Sequence, residues 1–150
     1  MKTLIIFYSL SGNTKAYAEK KAKELGADIE EIIAEKKPSM LSALFFGVSK
    51  ASKRQKIPTK PLRAQVIDYD KVIIMSPIWA SNPAPAINNI FDLLPSGKKV
   101  ELIMISAGGG SKKSAEGTKA LVTARGCEVI SYIDVKIKRN KDGVVCQRLK

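Results

Sequence analysis

The eleven residues Leu4-Ile5-Ile6-Phe7-Tyr8-Ser9-Leu10-Ser11-Gly12-Asn13-Thr14 decide how this chain folds. An apolar run ends abruptly in hydroxyl and amide side chains around one glycine, and an amphipathic helical pattern follows at once. Leu4 to Tyr8 is short and holds β-branched residues, as a buried strand does. From Lys15 onward Ala16, Ala18, Ala22 and Leu25 fall near helical spacing, with Lys and Glu between them. The loop Ser9, Leu10, Ser11, Gly12, Asn13 and Thr14 therefore joins a strand end to a helix N-terminus. There the unpaired backbone N–H groups and the helix dipole attract an anion. Ser9, Ser11, Asn13 and Thr14 can add side-chain donors, and Gly12 removes the Cβ that would block close approach. Two readings stand open here, a phosphate cradle or an ordinary turn with Ser, Thr and Asn as caps.

The loop lacks GxxxxGK[ST], so no lysine reaches the β- and γ-phosphates of a nucleoside triphosphate. It also lacks GxGxxG, which argues against a pyrophosphate across the helix start. A hydroxyl-lined loop with no obligatory cation suits a single phosphate monoester.

Bulk properties narrow the chemistry further. The 150 residues suffice for one domain with a sizeable core, and 45% hydrophobic with 27% charged residues is a globular composition. The N-terminal apolar run is too short for a signal peptide or a membrane span. Cys127 and Cys146 form no CxxC pattern, which points to a reducing, cytoplasmic setting without disulfides or a metal site. Histidine is absent, which removes the commonest general base and most zinc chemistry. Chemistry here would belong to a bound cofactor. The net charge of +12 is unevenly spread: residues 36–63 hold eight basic and no acidic residues, and residues 136–150 hold six basic residues against Asp142. The rest of the chain is close to neutral.

Along the chain, strands at 2–8, near 28–34, at 72–76, 99–106 and 128–135 alternate with helices at 14–26, 84–94 and 114–124. Residues 36–66 form a basic insert within this single domain. The alternation implies right-handed crossovers and a parallel sheet covered on both faces. In such sheets the ligand crevice lies beyond the carboxyl ends of the strands. Three loops rich in special residues leave those ends: residues 9–14, 76–82 and 106–113.

Taken together, these loops resemble those of the flavodoxin family. Residues 9–14 look like its FMN phosphate loop. Tyr69-Asp70-Lys71-Val72-Ile73-Ile74-Met75-Ser76-Pro77-Ile78-Trp79 looks like its third strand leading to an aromatic that covers the flavin. Ser106, Ala107, Gly108, Gly109 and Gly110 look like the loop on the other side of the ring. The resemblance implies a doubly wound α/β fold with five parallel strands ordered 2-1-3-4-5, FMN as cofactor, and one- or two-electron transfer. It implies that Pro77, Ile78, Trp79, Ala80, Ser81 and Asn82 meet the flavin ring, with Trp79 stacked on it. Many relatives place a glycine where Ser81 stands, which puts in doubt the peptide flip that follows the flavin's redox state. The third loop carries no aromatic and no acidic neighbour in sequence, and Lys112 and Lys113 follow it. Positive charge there would favour the anionic reduced flavin and raise its potential.

Two further segments stand apart from these loops, and basic inserts like the first occur in small relatives of that family. In the insert, Ser39 can cap a helix carrying Leu41, Leu44, Phe45 and Val48 on one face. That helix would pack on the body, cover the flavin through Phe45 or Phe46, or anchor to an acidic surface. At the C-terminus, a β-hairpin with an Asp-Gly turn at residues 140–143 stands where relatives have a last helix. Part of one sheet face would then need a cover, which leads us to expect a homodimer. The functional expectation is an FMN-binding electron-transfer flavoprotein, with NAD(P)H- or quinone-directed reductase activity as an extension, meeting an acidic redox partner protein. The alternative is a flavodoxin-like module without FMN that binds acidic partners or nucleic acid through its basic surfaces. A membrane surface is a lesser option.

Overall fold

The computed structural model describes residues 1–36, 39, 42, 47–108, 110–140 and 143–148. Strand β1 (Thr3–Phe7) lies between β2 (Asp28–Glu31) and β3 (Lys71–Trp79), both parallel to it. Beyond β3 come β5 (Lys99–Ser106) and β6 (Glu128–Asn140), again parallel. The two-residue β4 (Asn82–Pro83) pairs antiparallel with the end of β3, and β7 (Gly143–Arg148) pairs antiparallel with β6. The parallel strands are thus ordered β2-β1-β3-β5-β6. With β4 set aside this is the expected 2-1-3-4-5 sheet.

Alternation along each strand divides two cores. Leu4, Ile6, Val72, Ile74, Leu102 and Met104 face helices α3 (Asn88–Leu93) and α4 (Lys112–Thr123) through Ile90, Phe91 and Val122. Ile5, Phe7, Ile73, Met75, Ile103 and Ile105 face helix α1 (Asn13–Leu25) through Ala18 and Ala22. Helix α1 ends where Gly26, at φ 60°, takes the left-handed conformation and donates its N–H to Ala22. Among the described residues no helix is long and apolar enough to cross a membrane.

Two expected boundaries shift. The third strand runs on to Trp79, so residues 77–83 are not an open loop but a strand end and a two-residue turn. Ala80 and Ser81 both have positive φ, 47° and 63°. That is the turn whose twist matches a tight antiparallel hairpin. The helix expected over 84–94 begins as a 3₁₀ turn, Pro85–Ile87, whose first position tolerates a proline because its N–H would have no partner. In the insert, the Ser39 hydroxyl oxygen accepts the Ser42 N–H at 3.1 Å, as a cap would. The rest of the expected apolar face, including Leu41, Leu44, Phe45 and Phe46, lies outside the described residues. A short helix α2 (Val48–Ser52) follows.

The C-terminal hairpin replaces the last helix, as the sequence suggested. Ile103, Ile105, Val135 and Ile137 are nonetheless 0–4% exposed within the single chain. Helix α1 touches β1, β2 and β3, and among the described residues β7 also reaches α1. The hairpin therefore bends across the face the helix would have covered. Strand β6 carries an extra residue, Ile130, where its register against Val100 and Glu101 shifts; such a bulge bends and twists a strand.

Candidate functional site

The first loop folds around Gly12, whose φ of 87° is strained for any residue with a Cβ. Its N–H donates to the Ser9 hydroxyl oxygen at 3.1 Å, and its carbonyl accepts the first helical bond from Ala16 at 3.0 Å. The N–H groups of Thr14 and Lys15 have no carbonyl within the helix to pair with. Ser9 and Thr14 are buried at the turn, Leu10, Gly12 and Asn13 half-buried, and Ser11 exposed. No acidic residue stands in the first turn of α1. Lys15 is drawn off by Glu31, 3.2 Å away.

The second loop is pinned from within. Ser76 is fully buried; its hydroxyl donates to the Pro77 carbonyl and accepts the Ala84 N–H, both at 2.9 Å. Asn82 donates its side-chain amide to the Ala80 carbonyl at 2.9 Å, which stiffens the turn. Trp79 is half-buried beside it. Its ring meets Tyr8 edge-on, centroids 6.1 Å apart at 76°, and Gly47 of the insert lies against its six-membered ring. A Cβ on Gly47 would fall 2.7 Å from Trp79 Cζ3. Trp79 is thus braced by protein on two sides, in addition to whatever its remaining surface meets. Burial holds the Tyr8 hydroxyl above its ordinary pKa, and that oxygen has no hydrogen-bond partner among the described residues.

The third loop is anchored at its far end. Ser111 is fully buried, and its N–H and hydroxyl both reach Asp134 Oδ1, at 3.0 and 2.6 Å. The Tyr132 hydroxyl lies 2.5 Å from the same serine oxygen. Burial, with the Asp134 charge behind it, keeps Tyr132 protonated above its ordinary range. One turn on, the Ser114 hydroxyl donates to the Ser81 carbonyl at 2.5 Å and ties the third loop to the second. Ala107 and Gly108 are exposed, and among the described residues nothing lies where a Gly108 Cβ would point. Ser106 and Gly110 are half-buried, and Gly109 lies outside the described residues.

The structure therefore brings the three loops to one edge of the sheet. They leave β1, β3 and β5, and the order reverses at β1, whose two neighbours carry its crossovers to opposite sides. It also adds what the sequence reading missed. The third loop does have an acidic and an aromatic neighbour: β6 delivers Asp134 beside Met104 and Tyr132 beside Leu102. Arg54, from the insert, donates to the Ser114 carbonyl at 3.0 Å and to Thr118 Oγ1 at 3.2 Å. It lies over Gly117, where a Cβ would come within 2.8 Å of its guanidinium. Asn88 and Asn89 of α3 hold the carbonyls of Gln55 and Ile57 at 2.9 and 2.7 Å. The described end of the insert is a fastened strap between α3, α4 and Trp79.

A family model described as NADPH-dependent FMN reductase matches residues 1–138. The chain belongs to that family. The match spans the whole parallel sheet and stops at the hairpin, so β7 lies outside it. Among solved structures, a flavoprotein in complex with FMN from Lactobacillus acidophilus NCFM is 25% identical, with 89% of this chain and 92% of that chain covered and a TM-score of 0.74. A flavoprotein from Bacteroides eggerthii DSM 20697, 22% identical, covers 89% of this chain and 87% of its own with a TM-score of 0.76. Oxidised Flavodoxin 1 from Bacillus cereus is 20% identical over 95% and 88% of the two chains, with a TM-score of 0.56. These last two share the fold. No curated protein sequence matches the chain.

Proposed function

We propose that this member of the FMN reductase family binds FMN at the carboxyl ends of β1, β3 and β5 and acts as an FMN-dependent oxidoreductase. The observation that carries the reading is the left-handed Gly12 at the junction of β1 and α1, with N–H groups and hydroxyls gathered around it and no carboxylate in the loop. That donor set fits a phosphate monoester. Ser9, Ser11, Gly12, Asn13 and Thr14 would hold the phosphate, and residues 77–82 and 106–110 the ring. The related Lactobacillus flavoprotein, solved in complex with FMN, supports the same assignment.

Bound FMN would supply the redox chemistry, accepting one or two electrons. The chain's own part is to bind and orient. Ser76, Ser111 and Ser114 fix the second and third loops through buried hydrogen bonds before any ligand arrives, which lowers the ordering cost of binding. Lys112 and Lys113, exposed after the third loop, favour the negatively charged reduced flavin and make it less reducing.

The test is direct. Protein denatured after purification should release FMN, and the flavin-free chain should take it up again. Anaerobic mixing of the reloaded protein with NADPH should bleach the oxidised flavin band. Gly12→Val should weaken FMN at least tenfold, since its side chain would stand where the phosphate approaches the loop's N–H groups. Failure to take up FMN at tens of micromolar would overturn the proposal in favour of a flavin-free module acting through its basic surfaces.

A further inference from the structure

We propose that the rim beside the third loop is a docking face for an acidic redox partner protein. This deepens the FMN reading, because the face borders the place where the flavin would sit.

Three separate stretches of chain converge there. Helix α2 packs against β3 and β4, and Arg54 fastens the residues after it to the first turns of α4. Lys112 and Lys113 open α4. Strand β6 extends past the end of β5, Lys136 pairing in register with Ser106. Residues 47–56, 110–119 and 134–138 together hold nine basic and two acidic residues. Both acids are already engaged: Asp134 accepts from Ser111, and Glu116 pairs with Lys119 at 2.8 Å. Lys50, Lys53, Lys112, Lys113 and Lys138 are exposed and Lys136 half-exposed, and none has an ion-pair partner among the described residues.

Charge of one sign on a rim steers a partner of the opposite sign to the edge it surrounds. A protein fits better than a nucleic acid. Single strands need aromatic faces on which bases stack, whereas the aromatic that β6 brings to this rim, Tyr132, has its hydroxyl tied to Ser111. The rim also draws on the insert, which gives that segment a role beyond covering the body.

The experiment compares two double variants with the same change in net charge: Lys112→Glu with Lys113→Glu on the rim, and Lys23→Glu with Lys99→Glu at the opposite edge of the sheet. Fluorescent poly-L-glutamate is titrated against each flavin-free protein, and reduced holoprotein is oxidised with ferricyanide or with tris(bipyridine)cobalt(III). Each acceptor takes one electron, so two equivalents reoxidise a fully reduced flavin. The rim variant should bind polyglutamate about tenfold more weakly and react about tenfold more slowly with ferricyanide, with the cobalt complex gaining and added salt erasing the difference. The control should stay within about twofold of wild type. Equal losses in both variants would overturn the docking face, as would oligothymidylate of matched charge binding the wild-type protein more tightly than polyglutamate does. A protein that takes up no FMN but shows the polyglutamate difference refutes the cofactor and keeps the face.

Discussion

Ala80 and Ser81 hold backbone that side chains with a Cβ rarely adopt, at φ 47° and 63°. The turn persists because its surroundings over-determine it: Asn82 braces the Ala80 carbonyl and Ser114 the Ser81 carbonyl. The left-handed conformation costs an L-residue about 1–2 kcal/mol, partly offset by the greater freedom a glycine loses on folding. Ser81→Gly should therefore raise stability to urea by about 0.5–1 kcal/mol, and unchanged or lower stability would show that the serine turn is unstrained. Tyrosines give a second prediction. Burial raises the pKa of Tyr8, Tyr69 and Tyr132, and Asp28, hydrogen-bonded to Tyr69 at 2.9 Å, adds to the effect there. Unfolded, each ionises near 10. Their contribution is complete below that pH and is lost as pH rises from there through the raised folded values. Urea midpoints should fall between about pH 8 and about pH 11, and Tyr8→Phe should lessen the fall. A midpoint that holds steady to pH 11 in wild type would contradict the burial.

At the scale of elements, the hairpin stands where the flavodoxin resemblance implies a last helix. Ile103, Ile105, Val135 and Ile137 are buried on the face that β7 reaches across, beside α1. Each such side chain contributes about 1.5–3 kcal/mol by burial, so their sum rivals the whole stability of an ordinary domain. A chain ended after Arg139 should lose its cooperative thermal transition or associate through the bared face, as read by calorimetry and light scattering. A monomer with an unchanged transition would mean that β7 covers nothing. The strand–loop–helix order and the hairpin were legible because local pattern writes them: the apolar run before Ser9, Gly12, and the Asp-Gly pair. Asp134, Tyr132 and Arg54 were not, because their place beside the third loop follows from parallel pairing and from a strap joining residues some sixty positions apart. The end of β3 was misjudged for another reason. Pro77 and Pro83 read as loop punctuation, yet both fit within strand backbone where the ladder does not need their N–H.

Across the whole molecule, a nearly neutral flavodoxin-like body carries its excess positive charge on the insert and the C-terminal segment. The three uncharged loops, residues 9–14, 76–82 and 106–110, lie at the border of that charge, where we propose the site for a phosphate and a planar ring. Trp79 is the only tryptophan, so its emission reports on the ring end of the site without a label. The decisive measurement is a titration of the flavin-free protein with FMN and, separately, with riboflavin, which lacks the phosphate, following Trp79 fluorescence. FMN should quench it saturably at one equivalent. Riboflavin should bind at least about a hundredfold more weakly, since each charge-assisted hydrogen bond to the phosphate is worth about 1.5–3 kcal/mol. Equal affinity for the two flavins, or emission that FMN leaves unchanged, would contradict a phosphate site at Gly12 and a flavin beside Trp79.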